Sequence, residues 1–488
     1  MRKIKTYLFL SLLALVTACF FSTCKYVSVS PVFGNYPSDV GKIFVTKCAV
    51  SGCHNEITRA AGLCFSTWDK MFEGSEEGAS VIPYRHDFSS VCYHINTFAD
   101  LGTTLSPTMP NGKTPLTRDE VKLIMDWVDK GAPNEFGTVA FADNPNRKKF
   151  YVTNQGCDVV TVFDAETLLQ MRVVTVGNSQ ANEAPHNVKV SPDGRFWYVI
   201  STGGNSLQKY RTSDDSYVGQ AILGSKNWNT ITISSTGDTA FVVDWSSSGD
   251  IAVVNLNTFS VGHNIGFSYP HGSCMSPDGQ YLYVSQNSAG SDQIYKIQAS
   301  DFTNIQIINL YTTVPSTHLD SHEILFSPAG DKYFVTCQGT DEVRIMDAAT
   351  DAFIAALPVG AVPSEMAVSA SHNLLFVTCE EDSTSFAGQR GSIAIIDIST
   401  NAFAAGSPVY SGHQPHGLAL DDDKNLVMVA NRNVTSDGPA PHHSNNCGGR
   451  NGYVTFIDMN TLTLLTTDEG EEKEIEVSVD PYSIATRH

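Results

Sequence analysis

Short apolar stretches separated by Gly, Asn, Asp and Ser fill the chain from about residue 137 to its end. One unit recurs among them. It begins with a stretch that leads into a Ser-Pro-Asp-Gly turn, continues with an aromatic-rich stretch, and closes with a stretch that ends in Asp or Asn. Residues 185–194 and 270–279 are two clear copies of its first part. The period of roughly 42 to 52 residues, with about four strand-like segments in each, predicts the blades of a β-propeller.

We expect seven blades, with inner strands that start near residues 138, 186, 229, 271, 322, 364 and 416. Residues 481–486 predict one more inner strand, which would close the ring against the first blade and remove an exposed sheet edge. The sequence Tyr151-Val152-Thr153-Asn154 is the motif of the YVTN family of propellers. The chain after residue 137 resembles that family, which implies the fold and leaves the function open.

A helical pattern precedes the repeats. After Thr117, apolar residues recur at the spacing of one helix face, namely Val121, Ile124, Met125, Trp127 and Val128. Acidic residues follow Thr117 in the first turn, and Gly131 predicts the end of the helix. The sequence therefore predicts a small all-α domain at residues 37–136, followed by an all-β seven-bladed propeller at residues 137–488.

A pair of cysteines closed by a histidine lies near the start of the predicted helical domain. Cys48, Cys53 and His54 have the order in which a chain binds haem c, with two thioether sulfurs and a proximal iron ligand. Four residues separate the cysteines, whereas two is the common spacing. A short-range disulfide or half of a zinc site is the alternative reading of the motif.

A methionine in a Pro- and Gly-marked loop offers a second iron ligand. Met109 lies in the stretch Thr-Met-Pro-Asn-Gly, and a methionine opposite a histidine raises the potential of a haem. The alternative is that Met109 packs in the core and that His94 or His86 is the sixth ligand.

Residues 44–132 resemble the small cytochrome c domain found beside other modules in planctomycete and Bacteroidetes proteins. The resemblance rests on the cysteine pair with its histidine, on Gly62-Leu63, on Met109-Pro110, and on the capped helix that ends in Trp-Val-Asp-Lys-Gly-Ala. It implies covalent haem c and electron transfer.

The first residues predict a targeting segment. Arg2, Lys3 and Lys5 precede an apolar run at residues 7–16, and Cys19 follows small residues. This resembles a bacterial lipoprotein signal, which implies a signal peptide at residues 1–19, acylation of Cys19, and a tether at residues 20–36. In the alternative, the segment is a plain secretory signal. Both readings place the protein outside the cytoplasm, and the lipid anchor implies the periplasmic face of a membrane or the cell surface.

The charge balance restricts the partners. The chain has 31 Lys and Arg against 51 Asp and Glu, a formal net charge of −20. Such a surface argues against nucleic acid, and it favours a redox partner that is basic where it docks.

Four histidines occupy one equivalent position, the start of the inner strand, when the blades are aligned. They are His186, His271, His322 and His416. Equivalent inner-strand starts surround one mouth of a propeller channel, so we expect four imidazoles to face a common axis. Imidazole is a common ligand of copper and zinc. The alternative is that each histidine caps its strand by hydrogen-bonding to neighbouring backbone.

The arrangement resembles the propeller of nitrous oxide reductases, which implies a copper site, although this chain has fewer such histidines and lacks a trailing cupredoxin domain. His442 and His443, in a Gly- and Asn-rich insertion of the seventh blade, are predicted to reach over the same mouth; His413 and His318 are further candidates.

Two pairs among the remaining cysteines are candidates for bridges. Cys157 and Cys447 lie in loops of the first and seventh blades, which are neighbours once the ring closes, so a disulfide between them would staple the closure. Cys64 and Cys92 either pair or pack in the helical domain.

Two functions fit these features. In the first, the protein is a membrane-anchored c-type cytochrome that transfers electrons to or from a His-lined site in the propeller, with a redox protein or a small molecule as partner. In the second, the propeller is a scaffold that binds a protein or another ligand, and the haem domain only relays electrons. A hydrolase has no support, because no nucleophile elbow is evident.

Overall fold

The computed structural model describes residues 33–179, 181–288, 290–443 and 447–488. The predicted signal peptide, Cys19 and most of the predicted tether therefore lie outside the described residues. From residue 33 onward, four α-helices precede the strands: α1 (Ser38–Ile43), α2 (Trp68–Met71), α3 (Ser90–Ile95) and α4 (Arg118–Asp129). A π-type turn lies at Phe44–Cys48, and 3-10 turns lie at Ala60–Gly62, His86–Phe88 and Ala99–Leu101.

Helix α4 is the amphipathic helix that the sequence predicts. Thr117 caps it in a capping box with Glu120, in which each side chain accepts an N–H of the other residue. Its apolar face packs on the turn that carries Cys48, and the aromatic rings of Phe44 and Trp127 lie 5.8 Å apart. The core of the helical part therefore sits directly behind the cysteine motif.

Twenty-nine strands in the described residues form seven antiparallel sheets. From the inner strand outward, blade 1 contains β29 (Pro481–Arg487), β1 (Lys149–Asn154), β2 (Val159–Asp164) and β3 (Gln170–Thr175). Blade 2 contains β4 (Pro185–Val190), β5 (Phe196–Ser201), β6 (Ser206–Arg211) and β7 (Tyr217–Ile222). Blade 3 contains β8 (Trp228–Ile233), β9 (Thr239–Asp244), β10 (Gly249–Asn255) and β11 (Val261–Phe267).

The other four blades have the same order. Blade 4 contains β12 (Pro270–Met275), β13 (Tyr281–Gln286), β14 (Gln293–Gln298) and β15 (Ile305–Asn309). Blade 5 contains β16 (Ser321–Phe326), β17 (Lys332–Cys337), β18 (Glu342–Asp347) and β19 (Phe353–Pro358), and blade 6 contains β20 (Pro363–Ser369), β21 (Leu374–Cys379), β22 (Ser392–Asp397) and β23 (Ala402–Phe403). Blade 7 contains β24 (Pro415–Asp421), β25 (Leu426–Asn431), β26 (Asn451–Asp458) and β27 (Thr463–Leu464), with β28 (Ile475–Val479) paired to β26.

The seven-bladed propeller is confirmed, and so is its closure by the C-terminal strand. Strand β29 pairs antiparallel with β1, with Lys149 opposite Arg487, and takes the innermost place in blade 1. The predicted inner strand near residue 138 is wrong. That segment forms a turn instead, in which the side chain of Asn134 accepts the N–H groups of Phe136 and Thr138. Because the chain terminus fills the inner position of blade 1, residues 133–148 are left as a connection to β1.

No helix in the described ranges is long and apolar enough to cross a membrane.

Candidate functional site: a cavity between the helices and the propeller, and the channel mouth

A cavity of about 450 Å³ lies between the helical part and blades 1 and 7. Cys48, Cys53, His54 and Met109, which sequence reasoning assigns to one haem, all line it. The volume is within the range of cofactor sites. The fold thus brings these four side chains together around one space.

A widened, π-type helical turn carries Cys48, and the loop after it carries Cys53. The turn at Phe44–Cys48 ends with the N–H of Ala49 donating to the carbonyl of Phe44, and the next loop folds back so that the N–H of His54 donates to the carbonyl of Cys48 at 3.1 Å. Both thiols are free rather than bonded to each other. Burial raises the pKa of Cys48 to about 12, so its thiol is protonated.

A backbone hydrogen bond fixes one ring nitrogen of His54 and leaves the other available. Its Nδ1 donates to the carbonyl of Ala60 at 2.9 Å, since a carbonyl oxygen can only accept. The proton is therefore fixed on Nδ1, and Nε2 keeps its lone pair for a metal. Burial lowers the pKa of the ring, which favours the neutral form that ligates.

Two candidates for a second axial ligand line the same cavity. The backbone N–H of Met109 donates to the carbonyl of His94 at 2.8 Å, so both residues lie at one side of the site. The Nδ1 of His94 donates to the carbonyl of Pro107 at 3.0 Å, which leaves its Nε2 free as well. His86, the other alternative, is not among the residues that line the cavity. Its Nδ1 lies 2.8 Å from a carboxylate oxygen of Asp129.

The propeller forms the opposite wall of the cavity. The N–H of Ala79 donates to Oε1 of Gln170 at 2.8 Å, and Nε2 of Gln170 donates to the carbonyl of Glu476 at 3.0 Å. Ile82 packs on Val159 and Val173 of blade 1. The helical part is therefore fixed on blades 1 and 7 by polar and apolar contacts.

The insertion of blade 7 reaches this cavity and not the channel mouth. Glu476 on β28 accepts the N–H groups of His442 and His443, and His443 lines the cavity. The predicted position of these two histidines over the mouth is therefore wrong, because β28 pairs with β26 and holds the insertion away from the inner strands. Burial lowers the pKa of His443, but the adjacent Glu476 carboxylate outweighs it and the pKa is raised.

A disulfide joins Cys157 to Cys447, with the Cα atoms 5.2 Å apart. It is the pairing that the sequence suggests, and it ties the insertion of blade 7 to the turn between β1 and β2. Cys64 and Cys92 are both buried and unbonded, so they pack rather than pair.

The four inner-strand histidines do surround the channel mouth. The rings of His271 and His322 lie 4.0 Å apart, and those of His322 and His416 lie 6.2 Å apart. Tyr482 on β29 completes the circle, with its ring 3.7 Å from His416 and 4.2 Å from His186.

Some polar atoms in this ring have no hydrogen-bond partner among the described residues, namely Nδ1 of His186 and both amide atoms of Asn229 at the equivalent position of blade 3. Nδ1 of His271 and of His322 makes no close hydrogen bond, although the backbone carbonyls of His322 and Ser364 act as acceptors toward these two rings. Leaving a buried polar atom unpaired costs about 1–3 kcal/mol. By contrast, Nδ1 of His416 donates to the carbonyl of Tyr482 at 3.1 Å, as the strand-capping alternative expects.

The channel environment keeps these rings neutral. Burial lowers the pKa of His271 to about 4 and lowers the pKa values of the other three well below their ordinary range. Burial also raises the pKa values of Glu323 and Glu365, one position further along β16 and β20. Sequence reasoning missed this carboxyl pair, although its place directly after His322 and Ser364 was a usable signal.

Within the described residues, no group of three or more His, Cys, Asp or Glu side chains converges in a way that could hold a metal ion. His413 and His318 are engaged elsewhere: Nε2 of His413 lies 2.7 Å from Oγ1 of Thr435, and Nδ1 of His318 lies 3.0 Å from Asp292.

Comparisons with known proteins support the fold. A family model described as "Lactonase, 7-bladed beta-propeller" matches residues 222–438. A functionally unknown protein from Desulfotomaculum acetoxidans has a TM-score of 0.50 at 13% identity, over 68% of this chain and 99% of that chain. Hydrazine synthase from Kuenenia stuttgartiensis has a TM-score of 0.48 at 17% identity, over 64% of this chain and 91% of that chain. No curated protein matches the chain. Together with the seven sheets, the family match supports a seven-bladed propeller.

Proposed function

We propose that the protein is an extracytoplasmic c-type cytochrome, anchored to a membrane through Cys19, that transfers electrons. The observation that carries the proposal is the meeting of Cys48, Cys53, His54 and Met109 around one cavity. A disulfide or zinc reading of the motif gains nothing from the structure, because the thiols are unbonded and no metal-holding group is found in the described residues.

The residues present fit a covalent haem. Cys48 and Cys53 would supply the two thioether sulfurs, His54 would bind iron through Nε2, and Met109 would supply a second iron ligand. The bound group supplies an iron centre that takes up and releases one electron. The chain provides the apolar walls that exclude water, among them Leu63, Phe65, Val91 and Ile95. With a net charge of −20, the protein suits a redox partner with a basic docking face.

The channel mouth is the candidate second site of this electron-transfer protein. The unpaired Nδ1 of His186 and the unpaired Asn229 amide favour a bound ligand over a purely structural role. A small hydrogen-bonding molecule suits this ring. Copper is not part of this proposal, because the described side chains do not converge on one ion. Elemental analysis tests this. Stoichiometric copper in the purified wild type, absent from His271→Ala, would make the ring a copper site instead.

The experiment that tests electron transfer is a spectroelectrochemical titration of the haem-loaded protein. We expect one reversible one-electron wave. Met109→Ala should lower the midpoint potential of the haem by more than about 59 mV, which is tenfold in the redox equilibrium, because a thioether ligand favours reduced iron. His94→Ala is the matched control, since its ring lies at the same side of the cavity. The opposite ranking of the two variants would make His94 the ligand, and the absence of any wave would contradict the proposed function.

A further inference from the structure

The propeller places an imidazole in the wall of the cavity that holds the haem motif. His443 belongs to the insertion of blade 7, far in sequence from the cysteine pair, yet it lines the same cavity. Its ring lies edge-on to the ring of His94, with centroids 6.4 Å apart and planes at 80°. The side of the cavity that carries Met109 and His94 is thus completed by a residue of the other half of the molecule.

Glu476 fixes the position of His443. Its Oε1 accepts the backbone N–H of His443 at 3.0 Å and Nδ2 of Asn451 at 2.6 Å, and it lies 3.5 Å from Nδ1 of the His443 ring. Asn451 also donates to the carbonyl of His443 at 2.9 Å. The disulfide at Cys447 anchors the same insertion four residues further on. Several independent contacts therefore hold one ring in place.

This is a built site rather than a chance surface contact. The side chain of Glu476 is 15% exposed, and that of His443 is 25% exposed. Taking a carboxylate out of water is costly unless donors surround it, and here the donors are those of the insertion itself. Among the described residues that line the cavity, the other ionisable carboxylate and ammonium groups are Glu77 and Lys47. Lys47 already pairs with Glu120 at 2.6 Å.

We propose that the propeller is part of the haem site: His443, oriented by Glu476, is a positioning residue that sets the reduction potential of the haem. The inference rests on the proposed function. Reduction adds one electron to the iron, so a carboxylate in the cavity wall opposes reduction and an apolar or cationic neighbour favours it. The effect is strong in a cavity from which water is excluded. His443 both closes the wall and balances the Glu476 charge.

The two side chains therefore have opposite effects. Glu476→Gln removes a negative charge and should raise the potential, whereas His443→Ala leaves the carboxylate unbalanced, opens the wall to water and should lower the potential. We expect each change to be about tenfold in the one-electron equilibrium, which corresponds to 59 mV. The double variant should lie between the two single variants, because it lacks the carboxylate charge but keeps the opened wall. A role confined to stability would not give shifts of opposite sign.

The test is the midpoint potential of the full haem-loaded chain and its variants, measured with the visible spectrum of each. His442→Ala is the matched control, because it is the neighbouring histidine in the same insertion and does not line the cavity. It should leave the potential unchanged. An altered ligand spectrum in His443→Ala would overturn the role as a wall residue and make His443 an iron ligand.

Unchanged potentials in His443→Ala and Glu476→Gln, with haem normally attached, would overturn the inference and leave the proposed function standing. A wild-type chain that attaches no haem would instead overturn the proposed function. If Glu476→Gln does not fold, His443→Ala decides alone, and a potential equal to that of wild type refutes the role.

Discussion

At the scale of single residues, burial of the channel histidines makes the stability of the protein depend on pH. His271 is 6% exposed, and the backbone carbonyl of His322 offsets only part of the cost of burying its charged form. Burial lowers its pKa to about 4, whereas the ordinary value is 6.5. Between these two values the unfolded chain binds a proton that the folded chain does not. Acidification from about pH 6.5 to 4 therefore lowers the free energy of unfolding.

Replacing His271 removes that contribution. We expect acidification from pH 7 to pH 4.5 to lower the free energy of unfolding less in His271→Asn than in the wild type, with a difference of about 2 kcal/mol. Urea unfolding at the two pH values measures it. Parallel pH profiles for wild type and His271→Asn would show that His271 is not held neutral.

The sequence predicts which residues meet more reliably than what they do. Alignment of the repeats placed four histidines in one ring, because equivalent positions of a propeller must lie at one height around the axis. It did not show that Nδ1 of His416 would pair while Nδ1 of His186 would not, since this depends on ring rotation. Glu476 was not foreseen, because its role comes from pairing between β28 and β26.

At the scale of elements, two features close the ring of blades. Strand β29 completes blade 1 by pairing with β1, and the disulfide between Cys157 and Cys447 ties blade 1 to blade 7. The repeat pattern predicted the closing strand, because residues 481–486 share the inner-strand outline. It also placed a false inner strand near residue 138, since the period does not show that the chain end takes that position.

Removal of the disulfide should weaken the closure. The bridge spans 290 residues, and a cross-link over so long a loop restricts the unfolded chain strongly. We expect the paired substitution Cys157→Ser and Cys447→Ser to lower the free energy of unfolding by about 2–4 kcal/mol. Chemical denaturation measures it. A reductant should lower the free energy of unfolding of the wild type by the same amount. It should have no effect on the double variant, and a further loss there would show that the effect of the reductant comes from another bond.

At the scale of the whole molecule, the site is divided between two parts of the chain. The helical part carries the cysteine pair, and the propeller supplies the facing wall. Contacts at Gln170, at Ile82 and at the insertion of blade 7 join the two parts. Local sequence pattern predicted each part separately. The docking face could not be predicted, because it depends on contacts between residues far apart in the chain. Electron transfer would use a haem whose surroundings both parts determine.

The central claim is that Cys48 and Cys53 carry a covalent haem in this cavity. The most direct measurement is the intact mass of the denatured chain, after maturation in a host that attaches haem c. We predict the mass of one haem retained on every chain, together with a visible haem spectrum, and its loss from the variant with Cys48→Ser and Cys53→Ser. A wild-type chain with the mass of the polypeptide alone and two free thiols at these positions would contradict the account.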